Sequence, residues 1–339
     1  MAEKLLQVKD LRVSYFTYAG EVQSVRGISF DVEKGETLAI VGESGCGKSV
    51  TAKSIMRLIA DPGQIKEGSQ ISFDGKDVLA MSKKELRDFR GAECAMIFQD
   101  ALTSLDPTMK VGKQIAEVLR IHGMADKKDA ADKAVELLRK VGIPNPEMRA
   151  KEYPHQFSGG MRQRAMIATA LACDPKLLIA DEPTTALDVT IQAQIIDLMK
   201  QLQQDMGAAI VLITHDLGVV ADIAHRICVM YSGKIVERGL AADIFYHPKH
   251  PYTRALLKAV PRLDLQNKQE LSTIEGTPPD LLKPPAGCPF CTRCQYCMPI
   301  CREEMPPVTS FGDGHEACCW LQDPRAPKVE EFLNEEVKV

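Results

Sequence analysis

At 339 residues, 45% of them hydrophobic, the chain has room for about two domains and a sizeable core. A net charge of −4 and a pI near 6.0 leave no basic field to gather nucleic acid. The start shows no charged-then-apolar leader, and the longest apolar runs, such as Ala208 to Ile213, fall far short of the roughly 18 residues that cross a bilayer. The expectation is a cytosolic chain that does not itself span a membrane.

Leu5 to Val32 alternates and carries β-branched residues, which predicts strands of a small sheet. Thr37 to Val41 reads as a buried strand, and Lys48 to Ala60 as a helix. Ala95 to Phe98 reads as a short buried strand ending at Gln99. Polar, helix-favouring sequence runs from Val111 to Val141, closed by Gly142, Pro144 and Pro146, and suggests a helical insert between two parts of one α/β core. The core resumes with Lys176 to Ala180, a helix from Val189 to about Met206, and a buried strand from Ala208 to Thr214 ending at His215. Arg226 to Arg238, broken at Ser232-Gly233, reads as a hairpin. Beyond about Val260, Thr277-Pro278-Pro279 and Lys283-Pro284-Pro285 predict a stiff, extended connection. Clustered cysteines follow, then an acidic end from Val329 to Val339 that is expected to fray. No internal repeat is present.

Three short strings carry chemistry. Gly42-Glu43-Ser44-Gly45-Cys46-Gly47-Lys48-Ser49 has the glycine, lysine and hydroxyl spacing of a phosphate-binding P-loop. Backbone N–H groups there can surround an anion where a helix begins, and the flanking strand and helix are the context such a loop requires. Leu177-Leu178-Ile179-Ala180-Asp181-Glu182-Pro183 supplies an apolar strand ending in paired carboxylates, which suits a magnesium site beside a triphosphate. Between them stands Phe157-Ser158-Gly159-Gly160-Met161-Arg162-Gln163. Together the strings point to ATP hydrolysis.

With this third string the chain resembles the ATP-binding subunits of ABC transporters, most closely those serving bacterial dipeptide and oligopeptide importers. Ser158-Gly159-Gly160 looks like the family signature, with Met161 where many members have glutamine. Tyr153 to Phe157, Arg162 to Arg164, Gln99-Asp100 with Thr103 to Pro107, Asp181 to Asp188, and His250 to Leu257 are similar to the peptide-importer branch. The resemblance implies a P-loop NTPase (RecA-like) ABC nucleotide-binding domain of α/β class over residues 1–260. It would carry an antiparallel β subdomain and a helical insert at about 101–165, followed by a small cysteine-rich C-terminal extension over 261–339.

The same resemblance implies roles for residues. Lys48 and the N–H groups of Gly45, Cys46, Gly47, Lys48 and Ser49 would hold the phosphates of ATP, with Gly42, Ser44 and Val50 also at the nucleotide. Ser49, Asp181 and Gln99 would serve Mg2+. Glu182 would be the general base, and His215 would contact the γ-phosphate. Tyr15 would stack on adenine, with Phe16 and Tyr18 close enough to replace it. Ser158 and Gly160 would reach the nucleotide of a second ATPase subunit, expected to be a paralogue in a heterodimer, with Asp188 at the seam. Gln99 and the segment Asp100 to Pro107 would carry movement to two membrane permease subunits supplied by a substrate-binding protein. The chain would lie peripherally on the cytoplasmic side of the bacterial inner membrane. Nickel and glutathione importers use similar ATPases, and a non-transport ABC ATPase is a further alternative.

Of the eleven cysteines, seven crowd between Cys288 and Cys319. Such density in a reducing compartment points to metal rather than disulfides. Cys291, Cys294, Cys297 and Cys301 have the spacing of a bacterial ferredoxin segment, but Arg302 stands where proline normally follows. The peptide-importer tail instead implies Cys288, Cys294, Cys301 and Cys319 around one [4Fe–4S] cluster. Cys291, Cys297 and Cys318 are alternatives as ligands, and Zn2+ is the alternative metal.

Overall fold

The computed structural model describes residues 3–100, 104–185, 187–259, 274–329 and 332. Thr103, Ala186, the predicted boundary near Val260 and most of the acidic end lie outside the described residues. The chain divides into two compact units. One comprises Met1–Leu6, Val32–Thr37 and Phe73–Ile213; the other comprises Gln7–Asp31, Leu38–Ser72 and Thr214–Val339.

The first unit is built on three parallel strands, Cys94–Ile97, Leu177–Asp181 and Ala209–Thr214. Cys94 lies opposite Leu177, and Leu177 opposite Ala209, so the three run in step. Every residue of all three is buried. Burial on both faces explains why they read as unbroken apolar runs rather than as alternation. The helix Val189–Met206 buries Ile195, Ile196, Leu198, Met199 and Leu202. It begins where the Asp188 carboxylate accepts from the Ile191 N–H at 3.0 Å and ends at Gly207, whose φ is +64°.

The stretch expected to be helical from Val111 to Val141 is two helices, Val111–Ile121 and Lys127–Lys140. Gly123 turns left-handed at φ +68°, and Asp126 restarts the chain by accepting from the N–H groups of Lys128 and Asp129. Gly112 packs so closely on Ala150 that a Cβ there would fall 2.7 Å from its carbonyl oxygen.

In the second unit the strand Thr37–Val41 runs parallel to Arg226–Tyr231, with Leu38 opposite Arg226 and Val41 opposite Val229. Arg226–Tyr231 and Lys234–Leu240 form the expected hairpin. Its turn residues Ser232 and Gly233 both have positive φ, +46° and +75°, which matches the twist of the flanking strands. The helix after Gly47 covers Lys48–Ile55, short of the expected Ala60, because Arg57 turns left-handed at φ +50°. Toward the C-terminus the strand Glu316–Cys318 pairs with Lys234–Leu240, and Val308–Ser310 pairs with it in turn. An aromatic core of Tyr231, Tyr252 and Phe290 sits beneath, with Tyr231 and Tyr252 ring centroids 4.5 Å apart. No helix among the described residues is long and apolar enough to cross a membrane.

Replacing Gly112 by valine forces a branched side chain onto the Ala150 backbone. Overpacking of this kind costs about 1–3 kcal/mol, and urea denaturation should show the midpoint falling accordingly; an unchanged midpoint would contradict the close packing.

Candidate nucleotide site

The glycine-rich loop leaves the end of the strand Thr37–Val41 and enters the helix Lys48–Ile55. Two glycines are required by space. A Cβ at Gly42 would lie 2.1 Å from the Met230 carbonyl oxygen, and one at Gly47 would lie 2.4 Å from that of Ser24. Gly47 also takes φ +104°, which L side chains rarely adopt. Beyond these contacts, the Gly233 N–H donates to the Cys46 carbonyl at 3.0 Å. Lys48 is only 4% exposed, and its ammonium donates to the carbonyls of Gly42 at 2.7 Å and Glu43 at 3.0 Å. The loop therefore presents its first helical N–H groups toward the same place as a buried positive charge, a setting that favours a multiply charged anion. Ser44 and Gly45 are exposed, and Ser49 and Val50 half-buried.

Tyr15 lies in the strand Lys4–Thr17, directly opposite Gly63. Its ring covers that glycine, since a Cβ there would come within 2.6 Å of Tyr15 Cε1. Phe16 and Tyr18 are the more exposed aromatics nearby, with the Lys66 ammonium 4.8 Å from the Phe16 ring centre. His215 is exposed at the end of the strand Ala209–Thr214, just before Asp216, whose carboxylate accepts from Gly218 and Val219 and starts the helix Leu217–Ile223.

In the other unit, Asp181 ends its strand almost fully buried, while Glu182 turns outward. Glu182 takes a left-handed conformation, φ +48°, and its N–H donates to the Ile213 carbonyl at 2.8 Å. A non-glycine residue held there carries strain of order 1 kcal/mol, of the kind that collects at functional sites. Gln99 Nε2 donates to Glu182 Oε2 at 3.0 Å, and Thr185 Oγ1 donates to the same oxygen at 2.9 Å. The carboxylate is thus aimed by two neutral donors. Thr185 was not singled out by sequence reasoning as a partner of Glu182; its spacing of three residues after a carboxylate at a strand end was the available signal.

Ser158 and Gly159 are exposed, and Gly160 is half-buried. Ser158 caps the helix Gly159–Ala170 by accepting from the Met161 N–H. A Cβ on Gly160 would come 2.9 Å from Ile191. Gln163, in the same helix, donates to the Pro183 carbonyl and so fastens the signature helix to the segment that follows Glu182.

Near the C-terminus, Cys288, Cys291, Cys301 and Cys319 are buried, and Cys294, Cys297 and Cys318 half-buried. The Cys288 N–H donates to the Cys301 carbonyl at 2.8 Å, which closes the intervening turns into one knot. Burial pushes the Cys288 thiol up to about 12 and the Cys294 thiol up to about 11. Cys319 is raised by burial as well. Cys318 has Lys234, Glu316 and Arg238 around it. Among the described residues no three His, Cys, Asp or Glu side chains gather as ligands of one metal ion.

Comparison with known proteins fits these features. The ABC transporter family model matches residues 25–185, and the model of the C-terminal region of oligopeptide and dipeptide transporters matches residues 236–301. The chain is 58% identical to an oligopeptide transport ATP-binding protein of Bacillus subtilis, covering 96% of this chain and 91% of that one. It is 56% identical to a dipeptide transport ATP-binding protein of the same organism, over 96% of each. Among solved structures, a dimeric ATP-binding cassette in a post-hydrolysis state, bound to ADP and phosphate, superposes with a TM-score of 0.63 at 26% identity. That match covers 70% of this chain and 98% of the other. The chain is an ABC-type ATPase with the P-loop nucleotide-binding fold of that class. It belongs to the family of ATP-binding proteins of oligopeptide and dipeptide ABC transporters.

Gly42 has no room for a methyl group against Met230. A Gly42→Ala variant should therefore lose ATP affinity by about tenfold or more, because phosphate-binding loops tolerate little displacement. Equilibrium binding of ATP with magnesium measures this, and wild-type affinity would contradict it.

Proposed function

We propose that this chain is the energy-coupling ATPase of a peptide importer, bound peripherally to the cytoplasmic face of a bacterial membrane. The named relatives support a di- or oligopeptide cargo. Two permease subunits, a substrate-binding protein and a second, related ATPase chain are the expected partners. The observation that carries the catalytic reading is the Glu182 carboxylate, fixed by Gln99 and Thr185 at the end of a buried strand.

Lys48 and the N–H groups from Gly45 to Val50 hold the β- and γ-phosphates, with Gly42 and Ser44 shaping the loop. Ser49, Asp181 and Gln99 offer hydroxyl, carboxylate and amide oxygens, the hard donors that Mg2+ takes. Magnesium supplies neutralisation of phosphate charge when bound. Glu182 accepts the proton of the attacking water, and its two donors keep the accepting carboxylate in line, which is most of what such a site contributes. His215 contacts the γ-phosphate, and an aromatic near the sheet edge, Tyr15 or its exposed neighbours Phe16 and Tyr18, stacks on adenine. Ser158 and Gly160 complete the site of the partner ATPase, so closure of the pair on ATP is the step that drives transport. The exposure of Ser158 and Gly159 at a helix N-terminus supports that role. Residues 1–260 form the ATPase and 261–339 the extension that marks the peptide-importer branch.

We propose further that Cys288, Cys294, Cys301 and Cys319 hold a [4Fe–4S] cluster. Cys288, Cys301 and Cys319 are buried and Cys294 is half-buried, and the Cys288 N–H donates to the Cys301 carbonyl, which supports this set. Four thiolates on one zinc must gather around a single atom, whereas a cluster spreads them over four irons. Its thiolate bonds would tie the distant Cys319 to the knot and close the tail as a loop.

Glu182→Gln should retain ATP binding while turnover falls by about a hundredfold or more, measured as phosphate release from the assembled transporter; normal turnover would remove Glu182 from the mechanism. Anaerobically purified protein should be brown and hold about four irons per chain, by elemental analysis. Colourless protein carrying zinc, or no metal, would overturn the cluster.

A further inference from the structure

The second residue of the glycine-rich loop is held from three sides, and two of the three come from more than two hundred positions further along the chain. The Glu43 N–H donates to the Tyr252 hydroxyl at 2.9 Å. The Glu43 carboxylate accepts from both terminal nitrogens of Arg293, at 2.6 and 3.0 Å. The Glu43 carbonyl accepts from the Lys48 ammonium. Glu43 is thus the joint between the phosphate-binding lysine and the cysteine-rich end.

Arg293 is unusually committed to this place. Its side chain is 5% exposed, that of Glu43 23%. Besides the carboxylate it donates to the Tyr231 hydroxyl at 3.2 Å and to the carbonyls of Ile274 and Glu275 at 2.9 Å each. All five guanidinium N–H groups are therefore used. The planar fork suits a bidentate carboxylate in a way that a lysine ammonium cannot copy. Beneath it, Tyr231 packs against Tyr252 and Phe290, so the two residues that grip Glu43 share one rigid aromatic base. The proline-rich strap runs alongside. Gln23 N–H donates to the Leu281 carbonyl at 2.9 Å, and Glu43, Cys46, Tyr231, Pro279 and Asp280 line a cavity of about 330 Å³ against the loop.

A solvated ion pair would be worth little here, because surface pairs contribute at most about 1 kcal/mol and often nothing. A buried, bidentate pair with every donor used is different: removing one partner strands the other. A loop whose second residue moves also carries away the carbonyls on which Lys48 rests.

We propose that Arg293, together with Tyr252, is a positioning residue of the nucleotide loop, fixing Glu43 and through it Lys48, so that ATP affinity depends on the C-terminal region. This rests on the reading that Gly42 to Ser49 binds ATP. Glu43→Gln is the discriminating variant, since it removes a mostly buried charge and leaves the aromatic base and the cysteines alone.

The full-length chain is titrated with a fluorescent ATP analogue in the presence of magnesium, as wild type, Glu43→Gln, Arg293→Ala and the double variant. Each single change should weaken binding by about tenfold, and the double variant should be no weaker than the worse single one, because both remove the same interaction. In the assembled transporter the loss should fall on KM, with kcat moving less than about threefold. Wild-type affinity in Glu43→Gln, or single effects that multiply in the double variant, would overturn the proposal. If the wild type itself failed to bind, the nucleotide-site reading would fall first; wild-type binding with an unaffected Glu43→Gln would remove only the brace.

Discussion

The approach of bare backbone to backbone at Gly42 and Gly47 is the constraint on which the nucleotide site depends. Neither position has space for a single methyl group, against Met230 in one case and Ser24 in the other. With side chains excluded, the loop can fold tightly enough to bring Lys48 back over its own carbonyls. The result is a concave run of N–H donors beside a buried positive charge at a helix start, built without any residue that would be specific for a base or a sugar. Affinity for phosphate follows from geometry, and the discrimination among nucleotides must come from elsewhere.

In the other unit a pair of carboxylates occupies a different setting. Three buried parallel strands end in line, and the carboxylates of Asp181 and Glu182 stand at the end of the middle one. Asp181 stays inside while Glu182 is turned outward by a left-handed backbone and caught by Gln99 and Thr185. Adjacent carboxylates with different burial can do separate chemical work. The Gln163 contact to Pro183 ties the signature helix to this same segment, so the helix that Ser158 caps and the segment that follows Glu182 are mechanically linked.

Much of this was legible in the sequence, for definite reasons. The buried strands announced themselves as apolar runs, the hairpin by Ser232-Gly233, and the loop by glycines whose spacing has few other uses. Helix ends were less legible: a left-handed Arg57 and the break at Gly123 depend on local backbone states that composition does not reveal. Least legible were the long-range ties. Nothing in the string Glu43-Ser44 says that Tyr252 and Arg293 will converge on it, because such pairing is set by packing. Likewise the strand Glu316–Cys318 is three residues long, below the length at which alternation can be read, and it became visible only through its pairing with Lys234–Leu240. That pairing builds the tail into the second unit's sheet and makes it part of the frame behind the loop.

Everything proposed for the site requires the Gly42 to Ser49 loop to grip a triphosphate through Lys48 and its own backbone. Calorimetric titration of the full-length chain with ATP and magnesium, compared with a Lys48→Ala variant, tests it most directly. The expected result is one nucleotide per wild-type chain and a loss of binding heat in the variant. Absent wild-type binding, or equal binding by both proteins, would contradict it.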